Sequence, residues 1–291
     1  PEIDTLAAQG LRFTRAYCTA ICSPSRAQYL TGQYPFRNGV LDIDSSNNRF
    51  DPDKPILTKI FSDQGYTTGG AGKSPNDASW SQTTSSGRPY SFAEYMDEYL
   101  KGGVGVYNNF STSDWTLVGP SPINPSNYGY FPDAMHAFTK DFITRHYPRS
   151  ANGNAPFYFF YSLINPHTPI EETPFSDPAD VTAGDLDALY EDNIEYIDYV
   201  VGDLVDHLTS LGVLDNTIII FTGDNGSLGT YQSDLWDPDS SAYRSIDGAK
   251  ADRAQNREGT ALVPLIVHWP NEINGADAGD VEDGLVDFTD L

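Results

Sequence analysis

Five short runs rich in β-branched and aromatic residues, at 11–17, 66–71, 157–164, 217–221 and 262–269, constrain this chain most. Between them, apolar positions recur at helical spacing over 54–64, 133–146 and 187–211. In the last stretch Ile194, Ile197, Val201, Leu204, Leu208 and Leu211 repeat at intervals of three and four, the pattern of one buried helical stripe. Gly212 supplies its stop. Strands alternating with helices predict an α/β fold, a mostly parallel central sheet with helices on both faces. The stretches 75–127 and 227–256 lack either period and read as irregular insertions in one domain spanning 1–291.

Net charge is −24, which argues against nucleic acid and anionic membranes as partners. The charge is uneven: residues 1–40 carry Arg12, Arg15, Arg26 and Arg37 against only Glu2 and Asp4. A cationic segment on an anionic chain marks a place to look for an anion site. No apolar run approaches the roughly 18 residues that a membrane-spanning helix requires. The chain opens on a short amphipathic helix with Ile3 and Leu6 on one face, and closes inside the apolar-periodic "GLVDFTDL". Both ends therefore read as cut.

The unusual polar residues fall at strand ends. Lys73 follows the second run, His167 in "NPHTP" the third, and Asp224 and Asn225 in "TGDNG" the fourth. Open parallel sheets gather ligands just past the carboxyl ends of their strands. Cys18 and Cys22 are the two cysteines, and two cannot build a disulfide framework. Cys22 precedes the helical pattern 25–30, with Pro24 suited to its first turn. Residue 22 is thus expected near a helix N-terminus, which favours an anion and a lowered thiol pKa. Cations, hard oxygen donors and a helix-terminal nucleophile suit an ester of a strong oxyanion.

The stretch "CSPSRAQYLTGQYP" resembles the signature of the type I sulfatases, in the alkaline-phosphatase-like superfamily. "GYTTGGAGK", "NPHTP", "LDNTIIIFTGDNG", "GAK" and "VPLIVHWP" follow in that family's order. The resemblance implies that Cys22 is the precursor of Cα-formylglycine, whose hydrate attacks sulfur in two-step nucleophilic catalysis. It implies that Arg26 and Lys73 hold that nucleophile and the sulfate oxygens. His167 and Lys250 would approach the bridging oxygen. Asp224 and Asn225, with residue 22 itself, would bind one Ca²⁺. Cys18 is expected to be a small buried residue, not a disulfide partner.

The implied substrate is a sulfated small molecule or polysaccharide, the implied partner a formylglycine-generating or other sulfatase-maturing enzyme, and the implied setting an exported one. Phosphodiester or phosphonate hydrolysis on the same scaffold, and a non-catalytic homologue, are the alternatives. Three features depart from the family. Its paired aspartates on a first strand, expected beside the strand feeding "TGDNG", and its C-terminal subdomain have no counterpart in this sequence. Ser74 and Pro75 also follow Lys73, where many members carry a His two residues on. Tyr90, Tyr95, Tyr99, Tyr107, Tyr128 and Tyr130 would suit stacking on sugar rings, although core packing accounts for most such tyrosines.

Overall fold

The computed structural model describes residues 1–43, 55–73, 96–102, 107–147, 155–226 and 260–291. In chain order its elements are α1 (Glu2–Ala8), β1 (Leu11–Tyr17), α2 (Cys22–Thr31), α3 (Pro35–Asn38), α4 (Leu57–Asp63) and β2 (Thr67–Gly72). There follow β3 (Glu98–Gly102), β4 (Trp115–Val118), α5 (Phe131–His146), β5 (Phe157–Ser162) and α6 (Pro178–Ala183). The last are α7 (Leu186–Ser210), β6 (Ile219–Thr222), β7 (Leu262–His268) and β8 (Val281–Asp287). All five expected strands are present.

The α/β class holds, while a mostly parallel central sheet is not shown among the described residues. Among the described residues there are two four-stranded sheets, ordered β6-β7-β1-β8 and β4-β3-β2-β5. Parallel pairs (β1 with β8, β2 with β3, β2 with β5) are matched in number by antiparallel ones (β1 with β7, β6 with β7, β3 with β4). Parallel neighbours need a long, usually helical crossover. β4 and β7 follow stretches without helical periodicity, so nothing in the alternation of elements fixed their direction. β6, which feeds "TGDNG", is an outer strand of its sheet, and Ile218 and Ile220 are exposed.

β3 and β4 lie inside the stretch expected to be irregular. The run "EYLKG" hides its character because Glu98 is 2 % exposed, held by a two-pronged bond from Arg145 on α5 at 2.5 and 2.6 Å. Burial pushes the Glu98 carboxyl up, but Arg145 and His146 outweigh it and hold it below the usual range. The main core lies between the β2–β3 sheet and the helices α5 and α7. Phe131, Met135, Phe138, Tyr196 and Val200 are buried there with Ala71 and Leu100. Each large apolar side chain so buried contributes about 1.5–3 kcal/mol.

α7 runs where expected, and Gly212 just beyond it adopts φ +69. The C-terminal half of the expected stripe holds, with Leu208 buried and Leu204 and Leu211 packed against the same core cluster. In the N-terminal half Leu189, Asn193, Tyr196 and Val200 face inward, while Ile194 is 41 % exposed. An aliphatic pattern missed the N-terminal half of the face because a polar residue and an aromatic one carry it there.

α2 connects the two sheets. Ala27 and Leu30 pack with Val40 and Ile56, and Phe160 of β5 joins this cluster. Tyr29 stacks on Phe160 at 5.7 Å and meets Phe288, just past β8, edge-on at 6.2 Å. One helix thereby touches both sheets. Of the tyrosines expected to suit sugar stacking, Tyr99, Tyr107 and Tyr130 are buried in the core, and Tyr128 packs against it. Tyr90 and Tyr95 lie outside the described residues. Among the described residues no helix is long and apolar enough to cross a membrane.

Candidate active site

Cys22 is the first residue of α2 and is buried. Ile21 before it is extended, and no side chain caps the helix. The positive end of the dipole is thus left for a negatively charged group. Arg26, one turn further along the same face, is also buried.

Lys73 reaches Cys22 because of the residue before it. Gly72 ends β2 with φ +98, and a Cβ there would stand 1.7 Å from the Ser162 carbonyl oxygen. Only glycine fits that turn. The Lys73 amide then donates to Ser162 at 3.1 Å, and Lys73 Nζ donates to Cys22 Sγ at 3.2 Å. Burial pushes the Cys22 thiol up, but the Arg26 and Lys73 cations outweigh it and hold the thiol below its ordinary range. The environment of residue 22 therefore favours a negative charge.

Asp224 follows β6, and its carboxylate forms a close ion pair with Arg26 Nη1. A buried guanidinium needs such a partner. The Asp224 side chain keeps 39 % of its surface exposed. Asn225 Nδ2 donates to the Gly226 carbonyl at 2.8 Å, while its Oδ1 is buried without a partner among the described residues. A buried amide oxygen left over beside a partly exposed carboxylate fits a hard, oxygen-seeking cation such as Ca²⁺. Among the described residues no group of three or more His, Cys, Asp and Glu side chains could hold a metal ion.

His167 lies five residues past β5, whose end pairs with the end of β2 at Gly72 and Ser162. It shares that sheet edge with Lys73. Its Nδ1 donates to the Thr168 carbonyl at 2.7 Å, so in the neutral ring Nε2 is the acceptor nitrogen and carries a proton only in the imidazolium. Cys22, Arg26, Lys73 and Asp224 are thus drawn into one chain of contacts, with Asn225 beside it. Lys250 lies outside the described residues. Cys18 is buried as expected: its thiol donates to the Ala261 carbonyl at 3.3 Å, and burial pushes it up to about 12. Neither cysteine is in a disulfide.

Sequence reasoning missed a buried polar network behind His167, formed by Tyr107, Tyr130, Asn165 and Asn193. The available signal was Asn193, a polar residue three before Tyr196 and seven before Val200 on the inward face of α7.

Comparison with known proteins bears on this arrangement. Residues 1–291 match the family model described as Sulfatase. The N-acetylgalactosamine-6-sulfatase of Rattus norvegicus is 28 % identical over 78 % of this chain and 45 % of its own length. Arylsulfatase A of Bos taurus is 29 % identical over 94 % of this chain and 54 % of its own. The chain thus spans about half the length of these curated relatives. Among solved structures, Ps i-CgsB in complex with k-i-k-neocarrahexaose superposes with a TM-score of 0.71 at 23 % identity. That likeness covers 100 % of this chain and 64 % of the other, and speaks for the fold.

Proposed function

This chain belongs to the sulfatase family, and on that premise we propose that the protein hydrolyses a sulfate ester of a carbohydrate, with residue 22 as the nucleophile. The observation that carries the reading is the contact of Lys73 with Cys22 at 3.2 Å, one helical turn from the Arg26–Asp224 pair. Two cations converge on a buried helix N-terminus, where an oxyanion is stabilised most.

The residues divide the work. Cys22, once oxidised to Cα-formylglycine by a maturing enzyme, supplies the hydrated aldehyde that attacks sulfur. Lys73 holds a sulfate oxygen and the nucleophile's own oxygen. Arg26 adds positive charge and orients Asp224. His167, whose Nδ1–H is committed to Thr168, gives a proton from Nε2 to the departing sugar oxygen when its ring is the doubly protonated imidazolium, and is left as the neutral Nδ1–H tautomer. Lys250 is assigned to the same oxygen by family resemblance. Asp224 and Asn225, beside residue 22, would hold one Ca²⁺, which when bound neutralises charge on the sulfate.

A sulfated carbohydrate as substrate is supported by the relative named for N-acetylgalactosamine and by the sugar complex of the similar structure. An exported setting follows from the same resemblance. The test is release of inorganic sulfate from sulfated N-acetylgalactosamine and carrageenan oligosaccharides by matured, calcium-loaded protein. Sulfate release that a chelator abolishes is expected. Cleavage of a phosphonate ester with no sulfate released would move the protein to the sibling chemistry.

A further inference from the structure

His167 sits on a loop without regular structure, yet a proton donor must be held to a fraction of an ångström to be useful. Three buried side chains from outside it, Tyr107, Tyr130 and Asn193, grip that loop, partly through its own Asn165. The Tyr107 hydroxyl lies 2.9 Å from the Ile164 carbonyl and 2.8 Å from the carbonyl of His167 itself. Asn165 Nδ2 donates to the Tyr130 hydroxyl at 2.7 Å and to Asn193 Oδ1 at 2.6 Å. Asn193 Nδ2 in turn donates to the Glu171 carbonyl at 2.9 Å and to Leu189 of its own helix at 2.8 Å. The loop is fastened on both sides of the imidazole.

The fasteners are themselves anchored. The Tyr107 carbonyl accepts from the Phe131 amide at the start of α5 at 2.8 Å, and Tyr107 stacks on Tyr130. Asn193 belongs to α7. Tyr107 and Asn193 are both 0 % exposed. A hydroxyl or amide so deep in a core is disfavoured against Phe or Leu unless its bonds serve a purpose. Burial also pushes the Tyr107 hydroxyl up, so it stays protonated and keeps donating.

We propose that Tyr107 and Asn193 are positioning residues for His167, locking the backbone of 164–171 so that the imidazole meets the leaving oxygen. The inference rests on the role given to His167 above. General acid help matters most when the leaving group is basic, and it typically contributes about 10²–10⁴-fold. A displaced His167 should therefore affect poor leaving groups selectively. Loss of structure alone would lower turnover of every ester by the same factor.

The test uses matured, calcium-loaded protein and a series of phenyl sulfates running from para-nitrophenyl to the unsubstituted ester. Tyr107→Phe should leave KM and para-nitrophenyl turnover nearly unchanged, and lower kcat for unsubstituted phenyl sulfate about tenfold. Asn193→Leu should behave alike. In both, amide exchange over 164–171 should quicken while α5 keeps its protection, a readout that holds even where a variant or an ester is poorly turned over. Equal loss across the series, or unchanged loop exchange, would overturn the proposal. His167→Ala separates the two claims. If it steepens the leaving-group dependence and Tyr107→Phe does not, the clamp alone is wrong. If His167→Ala leaves the dependence flat, the reading of His167 falls and the clamp's role with it.

Discussion

The two halves of the site differ in how complete they are. On the β2–β5 edge the cationic half is finished: Gly72 aims Lys73, Lys73 meets Cys22, and the His167 loop is fastened by buried bonds. On the β6 edge the oxygen-donor half is open, with Asp224 partly exposed and Asn225 Oδ1 buried without a partner among the described residues. α2 is the hinge of the comparison, since Cys22 contacts one half and Arg26 the other. Groups that bind an anion are preorganised by the fold alone. The proposed cation ligands are less enclosed, and the Asp224 carboxylate already has a counter-ion in Arg26.

The largest effect is expected where the halves meet. Cys22→Ala should abolish sulfate release while leaving the melting temperature close to that of the parent, measured side by side on purified protein. Normal turnover in that variant would end the distinction, since neither half would then have a nucleophile to serve.

Next comes the open half. Asp224→Ala should cost several kcal/mol of charge stabilisation in the reaction and abolish calcium binding followed by calorimetry. It also removes the carboxylate partner of the buried Arg26, at about 1–3 kcal/mol of stability. That figure is below what a fully buried pair would lose, because the Asp224 side chain is 39 % exposed. Unchanged calcium affinity would show that the oxygen-donor half lies elsewhere.

The finished half should break through its backbone. Gly72→Ala forces a side chain into the Ser162 carbonyl at φ +98, a conformational strain of about 1–3 kcal/mol before the clash is counted. Gly212→Ala is the control: its φ is also positive, at +69, but nothing lies within 4 Å. Chemical denaturation should rank Gly72→Ala well below Gly212→Ala, and only the former should lose turnover.

The smallest effect tests the acid stability of the same half. The folded protein holds the Glu98 carboxyl below its ordinary range. Its stabilisation is therefore full above the ordinary glutamate pKa and is lost as pH falls through the lowered folded value. Glu98→Gln should flatten the acid limb of stability against pH. An unaltered limb would remove the Arg145–Glu98 pair from the account of how this half is held.

Legibility in the sequence followed the same division. Lys73, Asp224 and Asn225 stood out because each follows a strand, and Cys22 because it precedes a helical pattern, whereas Arg26 was singled out only by the family resemblance. The five strands were legible from their composition. β3 was not, since its Glu98 looks solvated until Arg145, far along the chain, is brought to it. Tyr107 and Asn193 were not, since their meaning lies in carbonyls of a distant loop. The face of α7 was legible at Leu204, Leu208 and Leu211 and missed nearer its start, because aliphatic spacing cannot register that Asn193 and Tyr196 face inward.

The central claim is that two cations and a helix N-terminus converge on residue 22 to serve a modified side chain. Mass spectrometry of the tryptic peptide covering residues 16–26, from protein made in a host with a sulfatase-maturing enzyme, tests it most directly. The account predicts the loss of mass that accompanies replacement of the Cys22 thiol by an aldehyde, with Cys18 unmodified in the same peptide. A fully active protein whose residue 22 remains an unmodified cysteine would contradict it.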